Sequence, residues 1–163
     1  MPTHNRPSPE PLTESIDIAR SPESVYAVVS DVTRTGEWSP ICQKCWWDDA
    51  DERGAGAWFT GRNVIPERTW ETRSQVETAE PGREFAWRVG PAEEPVARWG
   101  YLLEPIEGGT RLTETWKLLP GSTPFFTGRY GDDADDVIAE RAEMARTGIA
   151  ETLAAIKRIT EAN

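Results

Sequence analysis

Histidine, cysteine and basic residues are scarce in this sequence. Its 163 residues include one His and two Cys, and 18 Lys and Arg against 28 Asp and Glu give a formal net charge of −10. Such an acidic chain is unsuited to nucleic acid or to anionic membrane surfaces, because both attract basic patches. The single histidine, His4, lies in an N-terminal stretch without apolar periodicity. A Ser–His–Asp or Cys–His catalytic arrangement is therefore set aside.

Long apolar runs and phosphate-binding glycine loops are also missing. No run of about 20 apolar residues could span a bilayer, and no charged-then-apolar leader begins the chain. No glycine-rich loop follows a strand and opens a helix, which argues against a nucleotide site. We therefore expect a cytoplasmic protein that neither inserts stably into membranes nor binds nucleic acid. The sequence does not identify its protein partners.

The two cysteines form the motif Cys42-x-x-Cys45. A zinc site needs about four ligands, and His4 is the only other soft ligand. A redox pair favours a helix N-terminus, whereas these residues lie on a candidate strand, where positions three apart point to opposite faces. The sequence therefore predicts no metal site and no redox role for this pair, and we expect no cofactor.

The longest regular pattern is the C-terminal stretch from Asp133 to Ala162. Apolar and small residues recur at spacings of three and four, as on one face of an α-helix: Ile138, Ala142, Ala145, Ile149, Leu153, Ile156 and Thr160. Asp residues precede the stretch, and Lys157 and Arg158 lie near its end, as the helix dipole favours. At 1.5 Å per residue this helix is about 45 Å long, enough to cross a small domain.

Side-chain size changes along this helix. Ala142, Ala145 and Gly148 make the first half small, whereas Ile149 and Leu153 make the second half bulky. A mid-helix Gly costs roughly 1 kcal/mol relative to Ala, so Gly148 indicates that something needs room. Two interpretations stay open: a hollow closed at one end by the bulky residues, or close packing of the helix backbone against a sheet.

The rest of the chain alternates strands with turn chemistry. Residues 1–11 contain four prolines and predict a disordered tail, followed by a single domain at residues 12–163. A first strand near residues 12–19 precedes a helix that begins with the N-cap sequence Ser21-Pro22-Glu23, and a turn or short second helix follows near residues 36–40. Alternation predicts six more strands, at residues 42–48, 57–64, 68–78, 84–89, 96–103 and 110–119.

The segment before the long helix, residues 120–131, is rich in Gly and Pro and is predicted to be a loop. It carries Phe125, Phe126 and Tyr130. These aromatic residues suit a lid over a cavity mouth, and they equally suit a loop that is anchored to the core.

This element order predicts an α+β fold. An antiparallel sheet with one apolar face must cover that face, and the terminal helix is the only sufficient cover. We predict a helix-grip fold, in which a curved antiparallel sheet of about seven strands wraps around the long C-terminal helix. A short helix pair follows the first strand.

Several motifs resemble those of the START-related helix-grip superfamily (SRPBCC), and within it the polyketide cyclase/dehydrase and lipid-transport group. They are Ser21-Pro22-Glu23-Ser24-Val25-Tyr26, Asp31, Gly36-Glu37-Trp38-Ser39-Pro40, Phe59 with Gly61-Arg62-Asn63, Pro81-Gly82-Arg83-Glu84-Phe85-Ala86-Trp87 and Gly109-Thr110-Arg111-Leu112-Thr113-Glu114. The resemblance covers roughly residues 12–160. It implies a deep, largely apolar cavity between the sheet and the terminal helix, and no single activity, because this fold carries binders, carriers and cyclases alike.

The last strand places an acid in the predicted interior, since Glu114 alternates with the solvent face and lies beside Trp116. An ionised carboxylate there is costly unless it is paired. Burial would raise its pKa and let it hold or protonate a ligand oxygen. Alternatively, Glu114 forms an ion pair with an arginine such as Arg73 or Arg98, or a bulge turns it outward.

Asn63 is the second polar candidate. If Phe59 and Gly61 face inward, as the family pattern implies, Asn63 does too and offers both donors and an acceptor to a ligand. Alternatively, its side chain bonds a neighbouring backbone group at the end of a strand.

Five aromatic residues project into the same interior from alternate strand positions, which exceeds what core filling requires. We therefore interpret some of them as cavity wall. The expected ligand-binding residues are Trp38, Phe59, Asn63, Trp70, Trp87, Trp99, Tyr101, Glu114, Trp116, Ala145 and Gly148. No catalytic residue is assigned, and Glu114 is the candidate.

These patterns favour a protein that binds a hydrophobic, ring-containing small molecule between the sheet and the C-terminal helix. An enzyme is the alternative, namely a polyketide cyclase or dehydratase with Glu114 as acid and Asn63 as anchor. A lipid or quinone carrier is the third possibility, and the acidic surface disfavours docking to anionic lipid.

Overall fold

Seven antiparallel strands form one sheet in the computed structural model, which describes residues 8–162. The strands are Leu12–Ile18 (β1), Cys42–Trp47 (β2), Trp58–Ile65 (β3), Arg68–Glu80 (β4), Glu84–Val89 (β5), Ala97–Ile106 (β6) and Gly109–Leu118 (β7). Their order is β1-β7-β6-β5-β4-β3-β2. The chain therefore starts at one edge, crosses to the other, and returns by hairpins until β7 pairs with β1.

Three α-helices complete the fold: Pro22–Val29 (α1), Ser122–Tyr130 (α2) and Ala134–Glu161 (α3). A 3-10 helix, Val32–Glu37, follows α1 and completes the predicted helix pair. The start of α1 matches its sequence signal, because the Ser21 hydroxyl accepts a hydrogen bond from the Ser24 backbone N–H at 3.2 Å and Pro22 is the first helical residue. The helix-grip prediction is confirmed.

The predicted tail lies largely outside the described residues, which exclude 1–7 and with them His4. Residues 8–11 have no regular secondary structure, and β1 begins at Leu12. The division into a tail and one domain therefore stays a prediction.

The main core lies where the C-terminal half of α3 meets β1, β7 and α1. Ile149, Leu153 and Ile156 are buried there together with Phe85 and Leu112. Polar contacts fix the end of this helix against the first strand. The Lys157 ammonium donates to the Asp17 backbone carbonyl at 2.6 Å, and the Glu161 carboxylate accepts from the Ala19 N–H at 2.8 Å. This half of α3 thus closes one end of the sheet's concave face.

The predicted loop at residues 120–131 is wrong, because residues 122–130 form α2. Tertiary packing overrides the helix-breaking composition here. Phe126 is buried against Val96 and Ala134 in a second, smaller core, while Phe125 stays exposed. The Ser122 hydroxyl donates to the carbonyl of Leu119, the residue after β7, at 2.7 Å and so fixes the turn that starts the helix.

Candidate functional site

A cavity of about 960 Å³ lies between the concave face of the sheet and the N-terminal half of α3. All eleven residues predicted to bind a ligand line it: Trp38, Phe59, Asn63, Trp70, Trp87, Trp99, Tyr101, Glu114, Trp116, Ala145 and Gly148. A cavity of this size is in the range that encloses a drug-sized molecule. That these residues bind a ligand stays a prediction.

The small residues of α3 leave this space open. A Cβ atom built on Gly148 would meet Pro40 Cγ at 3.7 Å and nothing else within 4 Å. This is ordinary contact, and Pro40 belongs to the loop before β2 rather than to the sheet. Close packing of the helix backbone against the sheet is therefore not the reason for this glycine. The hollow is the interpretation that the geometry supports.

Aromatic side chains form a continuous wall across four strands. Phe59 of β3 contacts Trp87 of β5 with ring centroids 5.9 Å apart. Trp87 stacks on Trp99 of β6 at 6.5 Å with an interplanar angle of 11°, and Trp99 contacts Trp116 of β7 at 6.3 Å. Ring-to-ring contacts of this kind hold each side chain in a fixed orientation. The wall is thus a preformed, apolar surface against which a flat ring can lie.

Glu114 lies inside the wall, paired in register with Tyr101 on β6. Its exposed fraction is 3%, and β6 and β7 pair without a bulge, so the outward-turned alternative is wrong. The ion-pair alternative is also wrong. Arg73 pairs with Asp48 at 2.6 Å, and Arg98 pairs with Glu77 and Glu84 on the outer face of the sheet.

A short hydrogen-bond chain holds this acid. The Trp38 indole N–H donates to the Tyr101 hydroxyl, which donates to the Glu114 carboxyl group. Oε1 of Glu114 is buried and has no partner among the described residues. Burial raises the pKa of Glu114 well above the ordinary range, and the charge of Glu14 adds to this, although the Tyr101 hydrogen bond opposes it. The site therefore favours the neutral form of this carboxyl group, one oxygen of which has no hydrogen-bond partner among the described residues.

Asn63 lies at the other side of the cavity, buried on β3. Its Nδ2 donates to the Thr72 hydroxyl at 3.2 Å and to the Trp70 carbonyl at 3.5 Å. Both sequence-based readings thus describe part of the geometry, since one bond goes to a backbone group of the paired strand. The side-chain oxygen makes no hydrogen bond with the described residues and faces a cavity that Asn63 lines.

The two cysteines contradict the strand-alternation argument. A bulge between Cys42 and Lys44 shifts the pairing of β2 with β3, so Cys42 and Cys45 both line the cavity, with their Sγ atoms 3.3 Å apart. The Cys42 thiol hydrogen bonds to Cys45, which lowers the pKa of Cys45, and the Thr35 hydroxyl contributes to the same effect. Residues 8–162 contain no cluster of three potential metal ligands.

Four further lining residues were missed by sequence reasoning: Arg68, Arg129, Tyr130 and Arg141. Arg68 and Arg141 place their guanidinium carbons 4.4 and 5.1 Å from the ring centroid of Trp70. Arg141 also donates to the Tyr130 hydroxyl at 3.5 Å. Tyr130 was predicted to belong to a loop that either covers a cavity mouth or is anchored to the core, and not to bind a ligand. The arginines carry no sequence signal, because three separate elements bring them together.

The fold agrees with comparisons to known proteins. Residues 11–158 match the family described as polyketide cyclase / dehydrase and lipid transport. The chain belongs to this family.

No curated protein matches the chain. No helix among residues 8–162 has the length and apolar character needed to cross a membrane.

Solved structures extend the comparison. A polyketide-cyclase-like protein from Corynebacterium glutamicum, Cgl2372, is 52% identical over 93% of this chain and 91% of its own, with a TM-score of 0.67. The di-domain ARO/CYC protein StfQ of the steffimycin biosynthetic pathway is 15% identical, with a TM-score of 0.68, over 93% of this chain and 50% of its own. Protein CV1439 from Chromobacterium violaceum is 15% identical over 94% and 99%, with a TM-score of 0.66. The last two similarities show the fold alone.

Proposed function

We propose that the protein binds a hydrophobic, ring-containing small molecule in this cavity. The observation that carries the proposal is the aromatic wall from Phe59 to Trp116, which faces about 960 Å³ of open space. Four contacting rings at fixed angles offer a flat apolar surface, and burial of a ring system against it is favourable by about 25 cal/mol per Å² of apolar surface.

Two polar groups would orient such a ligand. The neutral Glu114 can donate a hydrogen bond from its carboxyl group to a carbonyl or hydroxyl oxygen. The free oxygen of Asn63 can accept one from a ligand hydroxyl. Apolar walls with a few convergent polar groups are typical of small-molecule sites.

The cytoplasmic location stays a prediction from composition.

Native mass spectrometry of the protein purified from its own host tests this proposal. We expect a mass above that of the chain, lost on denaturation, and recovery of a small molecule that contains at least one ring. Recovery of only open-chain lipids would contradict the proposal. So would a protein that carries no small molecule and binds neither 1-pyrenebutyric acid nor 1-pyrenebutanol.

An enzyme is the second candidate, and the unpartnered Oε1 of Glu114 is the observation that favours it. Glu114 would give its proton to a carbonyl oxygen of the substrate, and the carboxylate so formed would keep the hydrogen bond from Tyr101. The Glu114→Gln variant separates the candidates when each protein is incubated with the recovered molecule. A cyclase or dehydratase would lose turnover but keep affinity within a few-fold, whereas a binder would return the molecule unchanged from both proteins.

A further inference from the structure

Three arginines converge at one end of the cavity. Arg68 opens β4, Arg129 lies near the end of α2, and Arg141 lies in the second turn of α3; we call them the arginine cluster. Tyr130 lies among them, since the Arg141 guanidinium donates to its hydroxyl at 3.5 Å and Arg68 also hydrogen bonds to it. Burial alone would raise the pKa of Tyr130, yet the Arg68 hydrogen bond and the charges of Arg141, Arg68 and Arg129 lower it. All three arginines thus act on the Tyr130 hydroxyl as positive charges.

Ion pairs are absent from the arginine cluster in the described part of the chain. Among residues 8–162, none of its members forms an ion pair, in a chain whose formal net charge is −10. Of the acids that line the cavity, Glu71 pairs with Arg62 at 3.7 Å and Glu93 is exposed. The remaining one is the neutral Glu114. Glu140 acts on Arg141 only through its charge.

Arg141 pays a clear desolvation cost for its position. Its Nε is buried and has no hydrogen-bond partner among the described residues. Burial and the charge of Arg68 both lower the pKa of Arg141. Part of this cost is offset by Trp70, whose ring lies within 5.1 Å of both guanidinium carbons. Two like charges and an unsatisfied donor at the end of an apolar cavity are an arrangement that an anion would stabilise.

We propose that the arginine cluster binds the carboxylate of an amphipathic ligand whose ring body lies against the aromatic wall. This inference rests on the proposed function and adds the ligand's charge class to it. A guanidinium group presents a planar fork of donors that matches a carboxylate, and Tyr130 adds a further donor. Arg141 precedes Gly148 by two turns of α3, which places the carboxylate about 10 Å from the hollow.

Two matched probes test this inference directly: 1-pyrenebutyric acid and 1-pyrenebutanol share the same four-ring body and differ in a carboxylate against a hydroxyl group. The dissociation constant of each is measured by quenching of tryptophan fluorescence. We expect the wild-type protein to bind the acid roughly ten-fold or more tightly than the alcohol, because hydrogen bonds to charged groups contribute more than neutral ones.

Variants locate the preference. Arg68→Gln and Arg141→Gln, singly and together, should remove the preference for the acid while the dissociation constant of the alcohol changes by less than about two-fold. Arg146→Gln is the matched control, because Arg146 lies one turn further along α3 with an exposed side chain paired to Glu143. It should leave both dissociation constants unchanged.

The outcomes separate this inference from the proposed function. If the wild-type protein binds both probes equally, the carboxylate site is refuted while ring binding stands. If the preference survives the double variant, the arginine cluster is not its origin and the inference is refuted. If neither probe binds, ring binding itself fails and the inference fails with it. The comparison of the two probes on the wild-type protein requires no variant. It can therefore refute the inference even if a variant does not fold.

Discussion

Glu114 is an acid in an environment far from ordinary solvent. A carboxyl group with an exposed fraction of 3%, one hydrogen-bonded oxygen and one bare oxygen favours its neutral form, because it forms no ion pair with a basic side chain among residues 8–162. A leucine of similar size would avoid this cost. The protein therefore sacrifices stability at this position, as is typical of residues that serve function.

The first prediction concerns the pH dependence of stability. The pKa of Glu114 is raised in the folded state, so between about 4.3 and that raised pKa the native protein binds one proton more than the unfolded chain. The contribution of Glu114 to the free energy of unfolding must therefore fall as pH rises, by up to about 1.4 kcal/mol per pH unit. Glu114→Gln removes this slope, so we expect the variant to match the wild type near pH 4 and to exceed it at pH 8.

Urea unfolding between pH 4 and pH 8 measures this difference. Glu104→Gln is the control, since it removes an exposed carboxylate from β6 by the same substitution. A constant offset between Glu114→Gln and the wild type across this range would show that Glu114 is charged when folded.

The second prediction concerns the thiol pair. Because the Sγ atoms of Cys42 and Cys45 lie 3.3 Å apart on one face, a trivalent arsenic atom can bridge them. Phenylarsine oxide should condense with both thiols, forming two As–S bonds and releasing one water. Intact-protein mass spectrometry should show one adduct per chain that resists dilution. Cys42→Ser and Cys45→Ser should each lose it; equal retention by both variants would contradict the bulged register.

At the scale of elements, α3 acts as two halves. Its C-terminal half is fixed to β1 by apolar packing and by Lys157 and Glu161, whereas its N-terminal half borders the cavity. The change from Ala145 and Gly148 to Ile149 and Leu153 marks the boundary. One continuous helix therefore supplies both the closed end and the open wall of the site.

The third prediction tests this division with Gly148→Leu. The new side chain would enter the hollow, since only Pro40 lies within 4 Å of its Cβ position. We expect loss of 1-pyrenebutanol binding without loss of thermal stability, because replacing a mid-helix glycine favours the helix by up to about 1 kcal/mol. Ala150→Leu, on the exposed side of the same turn, should keep binding. Unchanged probe affinity, or a lowered melting temperature from overpacking, would contradict the hollow.

The elements differ in how far the sequence determines them. Strand alternation and the Gly and Pro turns locate β2 to β7 within a few residues, since each pattern is local. The two failures have non-local causes. Helix α2 forms because Phe126 packs against Val96 and Ala134, despite Pro124 and Gly128. The composition of residues 122–130 gives no sign of these two contacts.

The bulge in β2 has a comparable cause. A Cβ atom on Gly36 would lie 2.3 Å from the Gln43 backbone carbonyl oxygen, so the 3-10 helix packs backbone to backbone against the bulged strand. Only glycine allows this approach. The Gly36-Glu37-Trp38 motif is visible in the sequence, but its contact with Gln43 is not. Strand alternation alone therefore predicts Cys42 and Cys45 on opposite faces.

At the scale of the whole molecule, one part of the site follows from local sequence patterns and the other from tertiary contacts. The apolar lining could be predicted, because inward strand positions and one helix face define it. The arginine cluster could not be predicted, because Arg68, Arg129 and Arg141 belong to β4, α2 and α3, which come together only in the tertiary structure. The positive end of the cavity is thus a product of tertiary structure in an otherwise acidic protein.

The last prediction follows from the contrast between these two fields. At about 10 mM salt the Debye length is about 30 Å, so an approaching anion senses the whole molecule and its net charge of −10. At about 150 mM salt the Debye length is about 8 Å, and only the arginine cluster near the cavity acts on it. We therefore expect association of 1-pyrenebutyric acid, measured by stopped-flow fluorescence, to become faster as salt rises over this range. Association of 1-pyrenebutanol should not change, because it carries no charge. A rate that falls with salt for the acid would show that the arginine cluster, and not the net charge, controls long-range approach.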